Sequence, residues 1–211
     1  MSVTELAILR LAPGVNILDA GFRAKILRSK QVMETALGIP GRRFVYYQDA
    51  EDPMVLYLLG DWQSTDEHWN EFIPSPENQE LLELLKHDLD VPSIEMYHVD
   101  IPAAKVPTGA NVISIGWHKV RQNDKVAFET TFWECKKSLD EDARRDMKPA
   151  GGWRVEKAVG QQETEEFVLF CGRESVDEQL GFSTRRFPKD YGRIREFVQE
   201  YDIKHGNRIV F

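Results

Sequence analysis

The stretch Val55-Leu-Tyr-Leu-Leu-Gly-Asp-Trp-Gln-Ser-Thr-Asp-Glu-His-Trp69 holds a strand, its end and the start of a helix. Val55 to Leu59 is apolar and rich in strand formers. Ser64 is a helix N-cap, and Glu67, three residues on, completes a capping box. Upstream, Asp49-Ala-Glu-Asp-Pro53 is a turn that joins this strand to Phe44-Val-Tyr-Tyr-Gln48, giving a hairpin. Before the hairpin, Thr4 to Leu11 reads as a buried strand stopped by Pro13-Gly14. Asn16 or Asp19 then caps a helix with Phe22, Ile26, Met33 and Leu37 on one face. After Ser64 the helix breaks near Pro74-Ser-Pro76 and resumes through Leu81, Leu82, Leu84 and Leu85. Ile94 to His98 is a closing strand.

The same order returns in the second half. Val112 to Trp117 is a strand, and Phe128 and Phe132 begin an amphipathic helix that Pro149-Ala-Gly-Gly152 ends. Arg154 to Val159 and Glu166 to Cys171 form a hairpin around Gln161 to Thr164. Ser175 opens a helical region, Tyr191, Ile194 and Phe197 make a helical stripe, and Arg208 to Phe211 is a last strand. Leu6 matches Val112 and Phe22 matches Phe128 at an offset of 106; Ser64 matches Ser175 at 111. An internal repeat decides the architecture before any single motif does. The expectation is an α+β chain of two fused ferredoxin-like repeats, residues 1–100 and 111–211, joined by a Pro/Gly/Ala linker at 101–110. Packed sheet to sheet, each repeat covers the other's bare face.

With 211 residues the chain can bury a sizeable core without staples. A formal net charge of −8 argues against nucleic acid and against anionic membrane surfaces. The two cysteines, Cys135 and Cys171, read as reduced core residues. No apolar run is long enough to span a bilayer and no leader pattern opens the chain, so a cytoplasmic location is expected.

The segments Val55 to Leu59, Gly60-Asp-Trp-Gln-Ser64, Asp66-Glu-His-Trp69 and Pro74-Ser-Pro-Glu-Asn-Gln79 resemble the dimeric α/β-barrel superfamily, in its antibiotic-biosynthesis-monooxygenase-like branch. The resemblance covers both halves in element order, with residue matches mainly in the first. It implies that two sheets, normally from two subunits, close a barrel here within one chain. It also implies a small hydrophobic substrate held between sheet and helices. The superfamily includes cofactor-free monooxygenases, cyclases, decarboxylases, haem-degrading enzymes and members without known activity.

His68 lies in the first turn of a helix, where the dipole favours a neutral imidazole. It reads either as a solvated helix residue or as an acid–base group. Its counterpart in the second repeat is Gln179, and that of Trp62 is Arg173, so the first repeat is the expected seat of chemistry. Tyr47 or Tyr57 is the expected hydrogen-bonding partner of His68. Trp62 and Trp69 are expected pocket walls, and His98 and Met96, on one face of the closing strand, further substrate contacts. No metal-ligand spacing, phosphate loop or nucleophile elbow occurs, so neither metal nor cofactor is expected. The resemblance, taken with these residues, implies a cofactor-independent cyclase, lyase or isomerase of a polyketide- or terpenoid-like intermediate. A cofactor-free monooxygenase and a non-catalytic binding protein are the alternatives. The chain is expected as a monomer closed on itself or as a homodimer.

Overall fold

The computed structural model describes residues 1–142, 144, 147–157, 163–175 and 192–211. The first half runs β1 (Val3–Arg10), α1 (Ala20–Thr35), β2 (Phe44–Asp49), β3 (Val55–Trp62), a π-helical turn (Glu67–Phe72), α2 (Pro76–Leu85) and β4 (Glu95–Val99). The second runs β5 (Val112–Arg121), α3 (Lys125–Asp142), β6 (Ala150–Trp153), β7 (Thr164–Arg173) and β8 (Val198–Arg208). The expected caps at Asp19 and Ser64 form, and a third forms at the break near Pro74. Asp19 caps α1 by accepting from the Phe22 N–H, and Ser75 caps α2 with Pro76 in its first turn. Ser64 accepts from the Glu67 N–H, and the Glu67 carboxylate accepts from the Gln63 N–H.

Among the described residues, eight strands form one antiparallel sheet in the order β4-β1-β3-β2-β8-β5-β7-β6. Each half thus contributes the ferredoxin-like order, and the halves join edge to edge where β2 meets β8. The two outer edges also meet. Val99 bridges Arg154, the Asp100 N–H donates to the Trp153 carbonyl and the Val155 N–H to the His98 carbonyl. This second seam closes the sheet into a barrel. Closure pairs the two outer edges along this seam, and eight strands leave an interior that side chains can fill.

Alternation along the strands sorts the core. Leu6, Tyr47, Tyr57, Leu59, Tyr97, Ile113, Ile115, Val168 and Phe170 fill the barrel. Ala7, Leu9, Tyr46, Leu56, Leu58 and Trp62 point outward beneath the helices, where Phe22, Ile26, Met33, Phe72, Leu81 and Leu85 meet them. The expected hydrophobic hollow between the first sheet and its helices is therefore occupied by packed side chains. In the second half Phe128, Phe132, Trp153 and Phe167 make the corresponding cluster.

Two elements differ from the sequence reading. The sixth strand is Ala150–Trp153, so the expected strand from Arg154 begins too late, its end at 158–159 lying outside the described residues; the last is Val198–Arg208, not Arg208–Phe211. Phe197 accordingly precedes a strand instead of extending a helical stripe. The Gln161 turn, Glu178, Gln179 and Tyr191 lie outside the described residues. The 101–110 connection is more than a tether, since Ala103, Val106 and Ala110 are buried. The Tyr47 hydroxyl donates to the Thr108 carbonyl at 3.0 Å and is 3.3 Å from that of Ala110. Tyr47→Phe should therefore lower unfolding free energy by about 1 kcal/mol, read from urea denaturation. An unchanged midpoint would mean that this clamp contributes nothing.

Candidate functional site

Glu5 stands in β1 beside His98 of β4 on one side and Gly60 of β3 on the other. A Cβ at Gly60 would come within 2.7 Å of the Glu5 carboxylate, so only glycine leaves room for that side chain. Glu5 and His98 share the outward face, on which Trp62 also lies. Over them runs the π-helical turn, in which the Ile73 N–H reaches back to the His68 carbonyl. One extra residue in that turn re-aims the side chains of the helix, and such turns recur at functional sites. Here it carries His68, Trp69 and Phe72 over the strand face.

A line of polar groups results. The Glu156 carboxylate accepts from His98 Nδ1 at 2.6 Å and from the His98 backbone N–H at 2.7 Å. His98 Nε2 lies 2.8 Å from His68 Nδ1, and His68 Nε2 lies 4.0 Å from Glu5 Oε2. Glu5 Oε2 also accepts from the Trp62 indole N–H at 2.6 Å. When His98 is neutral with its proton on Nδ1 toward Glu156, its Nε2 accepts from His68 Nδ1–H. In that tautomer the His68 Nε2 lone pair faces Glu5. Glu156 follows β6, so the line crosses the closing seam and draws on both halves.

The charges are set by burial. His68 is 1% exposed; burial first, and His98 second, push its pKa down to about 3, which keeps the ring neutral. Glu5, 2% exposed, is raised by burial to about 7 against the lowering pull of Trp62. Against its own burial, the hydrogen bonds from His98 and Trp69 hold Glu156 at about 2. The His68 ring lies between two indoles, 4.3 Å from Trp62 at 8° and 5.1 Å from Trp69 at 17°. Trp69 is half-buried and donates to Glu156 at 2.7 Å. On the Trp62 side the Arg42 guanidinium sits 4.7 Å from the ring and pairs with Glu67.

The structure thus gathers His68, His98, Trp62 and Trp69, and Met96 shares the outward face with His98. It does not bring Tyr47 or Tyr57 to them. Both face the barrel interior, where Tyr57 donates to Asp49. The sequence reading missed Glu5, Glu156 and Arg42; a lone acid inside an apolar strand was the one local sign of Glu5.

A buried acid raised to about 7 has a testable sign. The unfolded carboxyl titrates near 4.5, so the cost of a buried carboxylate is absent below that pH and complete above 7. Glu5→Gln should gain of order 3 kcal/mol of unfolding free energy at pH 8 relative to pH 4, at about 1.4 kcal/mol per pKa unit. Equal effects at both pH values in urea titrations would show that Glu5 is ionised at no such cost.

The closed eight-stranded barrel with helices on its outer face also appears among solved structures. A candidate monooxygenase from Lactobacillus acidophilus NCFM matches 98% of this chain and 93% of its own, with TM-score 0.66 and 10% identity. The fold is that of the dimeric α/β-barrels, here closed within one chain. An anthrone oxidase-like protein matches this barrel over 99% of the chain and 92% of its own, with TM-score 0.66 and 10% identity. A haem-binding protein from Thermus thermophilus covers 100% and 92%, with TM-score 0.56 and 10% identity. No protein-family model and no curated protein sequence matches the chain. A haem does not fit at His68: both ring faces are covered by indoles, one nitrogen is bonded to His98 and the other faces Glu5. Among the described residues no helix of the barrel is long and apolar enough to cross a membrane.

Proposed function

We propose that this barrel is an acid–base enzyme that oxygenates a planar, electron-rich aromatic without a cofactor. The observation that carries the reading is the hydrogen-bonded line Glu156–His98–His68, which ends with His68 Nε2 facing the Glu5 carboxyl. The likeness to a candidate monooxygenase and an anthrone oxidase-like protein supports it. Trp69 already occupies an aromatic slot against His68, held by one indole hydrogen bond to Glu156. A planar substrate reaches His68 by displacing Trp69 from that slot, at the cost of the hydrogen bond to Glu156.

The chemistry balances with the groups present. His68 Nε2 removes a proton from an acidic ring CH₂, and the carbanion gives an electron to O₂; recombination forms a C–O bond and a peroxide anion. His68 returns its proton to make the hydroperoxide. It then removes the second hydrogen as the O–O bond breaks, and Glu5 protonates the departing hydroxide. The products are a ring carbonyl and water; His68 finally reprotonates Glu5. The substrate carbon is oxidised and O₂ is reduced.

The test is an oxygen electrode with anthrone as probe. The expected result is one O₂ consumed per quinone formed. Turnover that proceeds equally without oxygen would replace this reading with ring closure, and absence of turnover under both conditions across a panel of anthrones and naphthols would reject it.

A further inference from the structure

Three of the four side chains between Glu5 and Glu156 are shut away from water: Glu5 is 2%, His68 1% and His98 0% exposed. Glu156 reaches the surface, with 29% of its side chain accessible. It lines a cavity of about 290 Å³ beside the closing seam, with Lys125, Lys157, Thr164 and Glu165 also on the walls. A space of that size and polarity admits water.

A buried acid that gains or loses a proton needs a path to water. Two polar groups face the Glu5 carboxyl. The Trp62 indole N–H bonds to Oε2, and His68 Nε2 lies 4.0 Å from the same oxygen. An indole donates and does not accept, so it ends a path. An imidazole accepts at one nitrogen and donates at the other, so it continues one. From His68 the next contacts are His98 at 2.8 Å and then Glu156 at 2.6 Å.

We propose that Glu5 exchanges its proton with water through His68 and His98, with Glu156 as the port at the surface. In the tautomer described above, the Glu5 O–H proton passes to His68 Nε2. The His68 Nδ1 proton passes to His98 Nε2, and the His98 Nδ1 proton passes to Glu156, which gives it to water. Each ring gains one proton and loses one, so both end neutral and no charge is stranded inside. Glu5 is left as a carboxylate, and the reverse shift reloads it. The gap between His68 and Glu5 closes by about 1 Å at the transfer, to hydrogen-bond distance. Burial makes Glu5 hold its proton more tightly than Glu156, so a proton taken from water runs inward. The route rests on the acid–base reading of this site, but its test needs neither substrate nor oxygen.

Infrared spectroscopy of the resting protein at about pH 5, where Glu5 carries its proton, tests the route. The Glu5 C=O stretch is the band that Glu5→Gln removes, and it shifts when O–H becomes O–D in D₂O. In the native protein it should shift well before the backbone N–H groups of β1 exchange, since those await opening of the sheet. Glu156→Gln still accepts from His98 Nδ1 but takes up no proton, and should slow the shift about 10²-fold, the lower end of what one positioned acid–base group supplies. His98→Phe, which cuts the line at its middle, should slow it as much. No such band, a native shift no faster than the β1 amides, or a native rate in Glu156→Gln would each overturn the proposal. Should Glu156→Gln fail to fold, His98→Phe decides, a native rate again counting against the route. Rapid exchange that depends on Glu156, in a protein that consumes no oxygen, would reject the oxygenase and keep the route.

Discussion

Oxygen uptake with anthrone is expected to fall by about 10²- to 10⁴-fold when His68 is replaced by alanine, the range that one positioned acid–base group supplies. The imidazole is also a packing element, held between Trp62 and Trp69. His68→Phe separates the two roles, because it keeps a flat ring in the stack and removes both nitrogens. It should fold with native near-ultraviolet dichroism and be as inactive as the alanine variant. A phenylalanine variant that kept wild-type uptake would remove His68 from the chemistry. Glu156→Gln should have a smaller effect, since a neutral amide still accepts from His98 Nδ1 but no longer stabilises the imidazolium formed during turnover.

The largest loss of stability is expected from Trp62→Ala, at about 3–5 kcal/mol. The side chain is 1% exposed and contacts Phe44, Phe72 and His68, with ring centroids 5.4, 4.9 and 4.3 Å away. Its removal also takes the N–H that Glu5 accepts and the ring against which Arg42 lies. For a chain of this size the midpoint of thermal unfolding should drop by roughly 10 °C or more. A loss below about 1 kcal/mol would mean that the surrounding rings close over the gap.

Most of the architecture was legible because each signal was local. Ser64 and Asp19 satisfy backbone N–H groups at helix starts, and strand composition marked six of the eight strands. The misread strands have physical causes. Ala150-Gly-Gly-Trp153 looks like a helix stop, yet it is a strand in which glycine is demanded by neighbours. A Cβ at Gly151 would enter the Phe167 ring, and one at Gly152 would strike Asp100 in the seam. β8 is polar for most of its length because backbone pairing with β2 and β5, not an apolar face, holds it.

The site was half legible. His68, Trp62 and Trp69 lie within one short segment, and His98 followed from strand alternation. Tyr57 was separable from Trp62 in principle. The two are five residues apart in one strand, an odd spacing that places them on opposite faces. Glu156 was not reachable by such reasoning: it meets His98 only because the sheet's outer edges join.

That junction has a chemical consequence. In a barrel assembled from separate subunits, a pair such as His98 and Glu156 exists only while the partners remain associated, so dilution erodes it. Here the peptide chain keeps the two residues at an effective concentration of order millimolar, however thin the solution. The hydrogen-bonded line from Glu156 through His98 to His68 is consequently held together within each molecule.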